Sequence, residues 1–182
     1  MESEVVDAQG RSGGVVTIWD PQIFKRVESI KAEYFMVISG FIEGMGEKIN
    51  LVNVYVPNDT TKKRNVWTDL LRIRNYGEGI WLMAGDYNEV RMEEDRMLSK
   101  FDANSATAFN KFIVEAGLLE YQMMGSRFTF MTENGSSMSK IDRVLVCDGF
   151  MNKWPCAKLE ALPRLLSDHN PLLLTCLSSW DR

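Results

Sequence analysis

Short apolar runs closed by turn residues recur along this sequence, and they decide what kind of fold the chain can form. Three of them, Val15–Trp19, Tyr34–Glu43 and Lys48–Val56, have the length and composition of strands. Asp20-Pro21 ends the first run, and the glycine-rich segment 44–47 between the other two is typical of a hairpin loop. Such runs predict a sheet-based fold.

Later segments extend the strand pattern, and two amphipathic segments interrupt it. Further strands are predicted over Ile80–Ala84, Arg127–Met131, Ile141–Val146 and Leu172–Cys176. A helix is predicted from Asp59 or Thr60 to about Asn75, and a second over Ser105–Ala116, because each has its apolar residues on one side. Strands outnumber helices, and the helices lie between strand pairs. We therefore predict a layered α/β sandwich with mostly antiparallel pairing.

Charge narrows the classes of function. The 182 residues carry 21 Lys and Arg against 25 Asp and Glu, a net charge of −4. This balance argues against a basic nucleic-acid coat protein, but a nuclease needs only a local basic rim around an acidic metal site. The only dense basic cluster is Lys62-Lys63-Arg64. It is interpreted either as the solvated first turn of a helix or as a contact to a nucleic-acid backbone.

Cysteine usage and hydropathy bear on location. Cys147, Cys156 and Cys176 are too few and too irregularly spaced for a disulfide framework or a zinc site. We interpret them as reduced thiols of an intracellular protein. No apolar run is long enough to span a membrane, and residues 1–13 lack the apolar stretch of a signal peptide. The predicted partners therefore include no membrane.

Polar residues collect where the predicted strands begin or end. These residues are Tyr55, Asn58, Asp86, Asn88, Asp142, Asp168 and His169. A strand holds a carboxylate rigidly, as a metal site or a general base requires. Each residue taken alone is equally consistent with a turn or a helix cap. His169 is the only histidine, so any imidazole chemistry depends on it.

Four motifs in order carry a resemblance to a known family. They are Asn53-Val54-Tyr55-Val56-Pro57-Asn58, Gly85-Asp86-Tyr87-Asn88, Ser139-Lys140-Ile141-Asp142-Arg143 and Ser167-Asp168-His169-Asn170-Pro171. They resemble the successive motifs of the endonuclease/exonuclease/phosphatase superfamily. The chain is most similar there to the apurinic-type endonuclease domain of plant non-LTR (LINE) retrotransposons. That narrower resemblance uses Gly10-Arg11-Ser12-Gly13-Gly14, Phe109-Asn110-Lys111-Phe112-Ile113 and Leu162-Pro163-Arg164.

The resemblance implies a two-sheet αββα sandwich that hydrolyses a phosphodiester of DNA with Mg²⁺ or Mn²⁺. Asp86 would orient or deprotonate the attacking water, and Asn88 would hold that water and the phosphate. His169 would donate a hydrogen bond or positive charge to a nonbridging oxygen, with its tautomer fixed by Asp142. The remaining assignments are Tyr55 to the phosphate, Asn58 to the neighbouring backbone and Asp168 to the metal. Hard cations prefer such oxygen ligands, and the implied location is the nucleus.

The front of the chain departs from the family pattern. Family members begin with a strand carrying an Asn and then a Gln-Glu-Thr-like motif whose Glu is a principal metal ligand. Here residues 1–9 stand in that place, and Glu2 and Glu4 lack the preceding apolar strand that would position a ligand. We expect a polar leader over residues 1–9, one domain over 10–178 and a tail over 179–182. We also expect a sandwich incomplete at its N-terminal side, with weakened metal binding.

Three functions remain open on the sequence. The first is an active, metal-dependent endonuclease. The second is a noncatalytic remnant of a retrotransposon endonuclease domain, which the absent front motifs favour. The third is a phosphatase or phosphoesterase of the same superfamily that acts on small phosphate esters.

Overall fold

The computed structural model of the protein describes residues 1–8 and 14–176. Segment 10–13 of the predicted glycine-rich motif and the predicted tail 179–182 lie outside these described residues. No helix within the described ranges is long and apolar enough to cross a membrane.

Fourteen strands and three α-helices make up the described part of the chain. The strands are β1 (Glu2–Val6), β2 (Val15–Trp19), β3 (Phe24–Lys31), β4 (Phe35–Ile42), β5 (Lys48–Tyr55), β6 (Ile80–Asp86), β7 (Arg96–Met97), β8 (Leu118–Glu120), β9 (Met123–Gly125), β10 (Phe130–Met131), β11 (Met138–Ser139), β12 (Asp142–Cys147), β13 (Lys158–Ala161) and β14 (Leu172–Thr175). The helices are α1 (Thr60–Tyr76), α2 (Ala103–Glu115) and α3 (Asp148–Lys153). The predicted α/β class is therefore confirmed.

A six-stranded sheet in the order β3-β4-β5-β6-β12-β8 is the centre of the fold. Its strands pair antiparallel except β5 and β6, which run parallel. Helix α1 makes the crossover between those two parallel strands, as such a connection requires. Asp59 caps this helix by accepting a hydrogen bond from the backbone N–H of Lys62 at 2.8 Å.

Aromatic rings fill the layer between the large sheet and the helices. The indole of Trp67 on α1 stacks on Phe109 and Phe112 of α2, with ring centroids 5.0 Å apart in both pairs. Tyr87 joins them directly after β6, with its ring centroid 5.2 Å from that of Phe109. Each pair adds roughly 0.5–1.5 kcal/mol beyond its buried area. This packing fixes the end of β6, where Asp86 lies.

Smaller sheets cover the opposite face of the large one. Among the described residues they are the pair β1-β2 and the three-stranded sheet β14-β13-β9, which contact β5 and β12 respectively. Between them runs an apolar groove of about 380 Å³, lined by Thr17, Leu51, Leu82, Val144 and Leu172 among others. The two layers and their helices form the predicted sandwich.

Several elements were not predicted because their sequences are polar. The predicted leader 1–9 contains β1, which pairs antiparallel with β2 along its whole length. Within it, Glu4 is ion-paired with Arg26 and Lys31. Strand β3 is an edge strand with mostly exposed, charged residues, so it has no clean apolar alternation. Cross-strand ion pairs hold both strands where hydrophobic patterning gives no signal.

Candidate active site

Strand register places three of the predicted residues in one row. Tyr55 on β5 lies opposite Asp86 on β6, and Asp86 lies opposite Asp142 on β12. Directly opposed residues on adjacent strands are neighbours, with Cα atoms about 4.5–5.5 Å apart. The neighbouring strands β5, β6 and β12 therefore bring a phenol and two carboxylates together at one end of the large sheet.

The His169 ring completes this row from a loop. Its Nδ1 lies 2.8 Å from Oδ2 of Asp142, within hydrogen-bond distance. The loop is fixed by the bridge between His169 and Phe130 and by the Met131 N–H, which donates to the Asp168 carbonyl at 3.0 Å. The hydrogen bond to Asp142 raises the pKa of His169 above its ordinary value despite partial burial. The shift favours the protonated ring, in which Nε2 is a second donor.

The Asp86 carboxylate is oriented by Asn88. The backbone N–H of Asn88 donates to Oδ1 of Asp86 at 2.8 Å, and its side-chain amide donates to Oδ2 at 3.0 Å. Asn88 has φ +48°, which asparagine tolerates better than most residues. Burial, and then the charge of Asp142, raise the pKa of Asp86 to about 7. A carboxyl that titrates near neutrality is suited to proton transfer.

A cavity of about 330 Å³ opens over these groups. Of the predicted site residues it is lined by Tyr55, Asn58, Asp86, Asn88, Asp168 and His169. Asp142 is not in its lining, but it is hydrogen-bonded to the ring of His169, which is. The structure thus gathers all seven predicted residues at one place, although their individual roles stay predictions.

Arg96 is a cavity residue that sequence reasoning missed. It lines the same cavity, and its Nε is buried without a hydrogen-bond partner among the described residues. Within the described part of the chain, its guanidinium makes one hydrogen bond, a long one of 3.4 Å to the Lys100 carbonyl. A guanidinium with unused donors fits a phosphate. No motif pointed to it, because Arg96 lies on the two-residue strand β7.

Thr129 was also missed, and it positions the Asp142–His169 pair. It is fully buried, and its hydroxyl oxygen accepts hydrogen bonds from the backbone N–H groups of Ile141 and Asp142 at 3.1 and 2.9 Å. Its carbonyl accepts from the N–H of Asn170 at 2.6 Å. One threonine thus ties the start of β12 to the His169 loop. In the sequence it looked like an ordinary strand residue.

Lys63 is buried, whereas the predicted basic cluster required it to be exposed. Its ammonium is buried and lies 2.8 Å from Oε2 of Glu89, and it donates to the carbonyl of Asn88 at 2.6 Å. Both interpretations of this lysine, as a solvated residue and as a nucleic-acid contact, are therefore wrong. Lys63 instead holds the turn that carries Asn88. Lys62 stays exposed and donates to the Tyr34 hydroxyl.

The donor atoms of the site fit a hard divalent cation. Ligand atoms of Asp86, Asp142 and His169 lie within 4.8 Å of one another, and Asp168 adds a carboxylate to the cavity wall. Since the Nδ1 of His169 is engaged with Asp142, the carboxylates are the better ligands for Mg²⁺ or Mn²⁺. Burial, and then the charge of Asp142, keep the pKa of Asp86 raised, and a bound cation would favour the ionised carboxylate.

Gly85 is required by the close approach of two strands, and its replacement is the first testable prediction. Its φ is +140°, and a Cβ there would collide with the Val54 carbonyl of β5. We expect Gly85→Ala to lower the free energy of unfolding by at least about 2 kcal/mol, since both backbone strain and the clash must be relieved. Urea unfolding measures this, with Gly135→Ala as the matched control. Gly135 also has positive φ, +68°, but nothing within 4 Å of its Cβ position. Equal losses in the two variants would contradict the clash.

Comparison with known proteins identifies the fold. No protein-family model matches the chain, and no curated protein matches it significantly. The endonuclease domain of TRAS1, a telomere-specific non-LTR retrotransposon, superposes with a TM-score of 0.72 at 16% identity, covering 97% of this chain and 81% of that one. The Xenopus laevis APE2 catalytic domain gives a TM-score of 0.69 at 15% identity, covering 96% and 75%. An endonuclease/exonuclease/phosphatase family protein from Bacteroides thetaiotaomicron gives 0.62 at 13%, covering 96% and 76%.

These neighbours are members of the endonuclease/exonuclease/phosphatase superfamily and include a retrotransposon endonuclease. The chain has the fold of that superfamily. The predicted resemblance is thereby confirmed at the level of fold. The narrower similarity to plant LINE elements stays a prediction.

Proposed function

We propose that this protein hydrolyses phosphodiester bonds of DNA with a divalent cation. The observation that carries the proposal is that one cavity holds both a proton acceptor and a hydrogen-bond donor. Asp86 has a carboxyl whose pKa is about 7, and His169 has a raised pKa and a fixed Nδ1 hydrogen bond. A base that titrates near neutrality, beside a histidine fixed as a hydrogen-bond donor, suits the attack of water on a phosphate.

Each side chain has a defined part in this reaction. Asp86, oriented by the two hydrogen bonds from Asn88, accepts the proton of the attacking water. His169 is held by Asp142 through Nδ1 and donates from Nε2 to a nonbridging phosphate oxygen. Tyr55 and Arg96 line the same cavity and supply further donors to the phosphate. Charge that builds up on the phosphate in the transition state is thus met by fixed donors.

Asp168 would hold the cation, and the carboxylates of Asp86 and Asp142 would add negative charge near it. When bound, the cation neutralises phosphate charge and orients the phosphate. Its carboxylate ligands fit Mg²⁺ or Mn²⁺ by chemistry, as judged above from the donor set.

A polymeric substrate is favoured over a small phosphate ester by the shape of the surface. The site cavity continues past Asp168 into a second cavity of about 550 Å³ lined by Arg164 and Thr132 among others. A small ester occupies only the first of these. Two adjoining cavities with Arg96 in one and Arg164 in the other suit successive phosphates of a backbone.

Nicking of supercoiled plasmid tests the proposal directly. We expect nicking in Mg²⁺ or Mn²⁺ and none in EDTA, and a loss of about 10²-fold in Asp86→Asn because a general base is removed. The matched control is Asp69→Asn, which changes an exposed aspartate on α1 that pairs only with Arg72. An unchanged rate in Asp86→Asn would overturn the assignment, and no nicking under any of these conditions would support a noncatalytic remnant.

Cation binding has a second readout that does not need turnover. Because the pKa of Asp86 is raised in the folded protein, its ionisation lowers the free energy of unfolding as pH rises from about 4 toward 7. A bound cation opposes that loss only where Asp86 is ionised. Mg²⁺ should therefore raise the melting temperature of the wild type more at pH 8 than at pH 5.5. Asp86→Asn should remove the difference between the two pH values.

A further inference from the structure

Two consecutive leucines project from the protein next to the site. Leu165 is 90% and Leu166 is 104% exposed, so both side chains are in solvent. They lie in the loop between β13 and β14, directly before Ser167-Asp168-His169. Single exposed apolar residues are ordinary, but an adjacent, fully exposed pair at the mouth of a polar cavity calls for a ligand.

The loop that carries the leucine pair Leu165–Leu166 is anchored on both sides. Before it, the N–H of Leu162 donates to the Pro171 carbonyl at 2.8 Å, and the side-chain amide of Asn170 donates to the Leu162 carbonyl at 2.7 Å. After it, Asp168 accepts a hydrogen bond from the backbone N–H of Met131 at 3.0 Å. The pair is thus presented from a fixed base, as insertion into another molecule requires.

The surroundings of the leucine pair favour a nucleic acid. Leu165, Leu166, Arg164 and Asp168 line one cavity, and Asp168 also lines the site cavity. Leu165 is three residues from Asp168, a reach of at most about 11 Å along an extended chain. Successive nucleotides of one DNA strand are about 3.4 Å apart along the helix axis. The leucines therefore reach the base steps within about three nucleotides of a phosphate bound in the site.

We propose that Leu165 and Leu166 form a wedge that inserts between stacked bases of duplex DNA beside the phosphodiester to be hydrolysed. The inference rests on the proposed function and narrows its substrate to a duplex that is locally unstacked. Apolar side chains inserted at a base step unstack it and kink the duplex, and a neighbouring arginine holds the backbone. Arg164 is placed for that contact. Unstacking then turns the adjacent phosphate toward Asp86 and His169.

The test uses matched substitutions and two substrates of the same sequence. The variant Leu165→Ser/Leu166→Ser removes the wedge, and Leu165→Met/Leu166→Met keeps apolar bulk. Val114→Ser is the control, since Val114 is 76% exposed on α2. Cleavage is measured in Mg²⁺ on a duplex and on the corresponding single strand. Binding without cleavage is measured in Ca²⁺ with duplexes that carry 2-aminopurine at successive positions, whose fluorescence rises on unstacking.

We expect the double serine variant to cleave the duplex about tenfold more slowly, because the leucines no longer help to open the base step. Its single-strand cleavage should stay within about twofold of the wild type, since no step needs to be opened there. The 2-aminopurine signal should be lost in this variant and kept in the methionine and Val114 variants. Equal duplex cleavage and equal fluorescence in wild type and the serine variant would overturn the wedge.

Failure of the wedge is distinguishable from failure of the proposed hydrolysis. A wild type that cleaves neither substrate but raises 2-aminopurine fluorescence through the leucines keeps the wedge and removes the hydrolysis. Cleavage of both substrates at rates independent of the leucines does the opposite. A wild type that neither binds nor unstacks the duplex assigns the leucine pair to a protein partner and overturns the wedge.

Discussion

Replacing His169 with alanine should lower the rate of plasmid nicking by about 10³-fold, the upper range for loss of one donor to the transition state. The effect is large because His169 is the only histidine of the chain, so no second imidazole can take its place. Its ring lines the site cavity, and Asp142 holds its Nδ1 at 2.8 Å. Binding of DNA in Ca²⁺ should weaken far less than the rate falls, since most backbone contacts remain.

Asp142→Asn separates the role of the pair from the role of the ring. This change keeps the shape of the side chain but replaces the charged acceptor whose hydrogen bond raises the pKa of His169. The pKa of the imidazole then falls, so the alkaline limb of the pH–rate profile should move to lower pH. A structural role alone would lower the rate at every pH without moving that limb. Asp148→Asn, on α3, is the control for loss of one carboxylate.

Rates of His169→Ala and wild type that agree within about threefold would remove His169 from the chemistry, given the size of effect that a transition-state donor has. The folding of each variant must be checked by its melting temperature. His169 is part of the bridge to Phe130, and its backbone N–H donates a hydrogen bond to the Ser167 hydroxyl. His169→Gln retains a donor at this position and should recover part of the lost rate.

The residues that form the site could be predicted because the ends of apolar strands are visible in the sequence. Asp86 ends an apolar run, and Asp142 begins another, so both could be placed at a sheet edge. That they lie opposite each other depends on the pairing of β6 with β12, which no local pattern specifies. The gathering of these carboxylates was therefore an expectation of the resemblance, and the register supplies its physical cause.

Positions held by ion pairs and buried polar atoms were not predictable. Lys63 looked like part of a solvated basic turn, yet its ammonium is buried against Glu89. Thr129 carries two backbone hydrogen bonds that no periodicity signals. Strand β1 was taken for a polar leader because its glutamates conceal the alternation that pairs it with β2. Hydrophobic patterning reports apolar burial, and these positions are held by polar contacts instead.

Arg143→Ala should lower the free energy of unfolding by about 3–5 kcal/mol, as expected when one partner of a buried ion pair is removed. The guanidinium is 1% exposed. It donates to Oδ2 of Asp95 at 2.6 Å and to both carboxylate oxygens of Glu120 at 2.9 and 3.0 Å. Burial acts to raise the pKa of Glu120, but the charges of Arg143 and its neighbours Lys140 and Arg91 hold that pKa below its ordinary value. Urea unfolding measures the loss.

The same arginine connects stability to the site, because it follows Asp142 on β12 and faces the opposite way. Its partner Asp95 precedes Arg96, so one guanidinium fixes both the strand that carries Asp142 and the segment that carries Arg96. Arg72→Ala is the control, since Arg72 forms only an exposed pair with Asp69 and should cost less than about 1 kcal/mol. If Arg143→Ala unfolds at the urea concentration of Arg72→Ala, the buried pair is not what fixes β12, and the aromatic layer must hold Asp142 in place by itself.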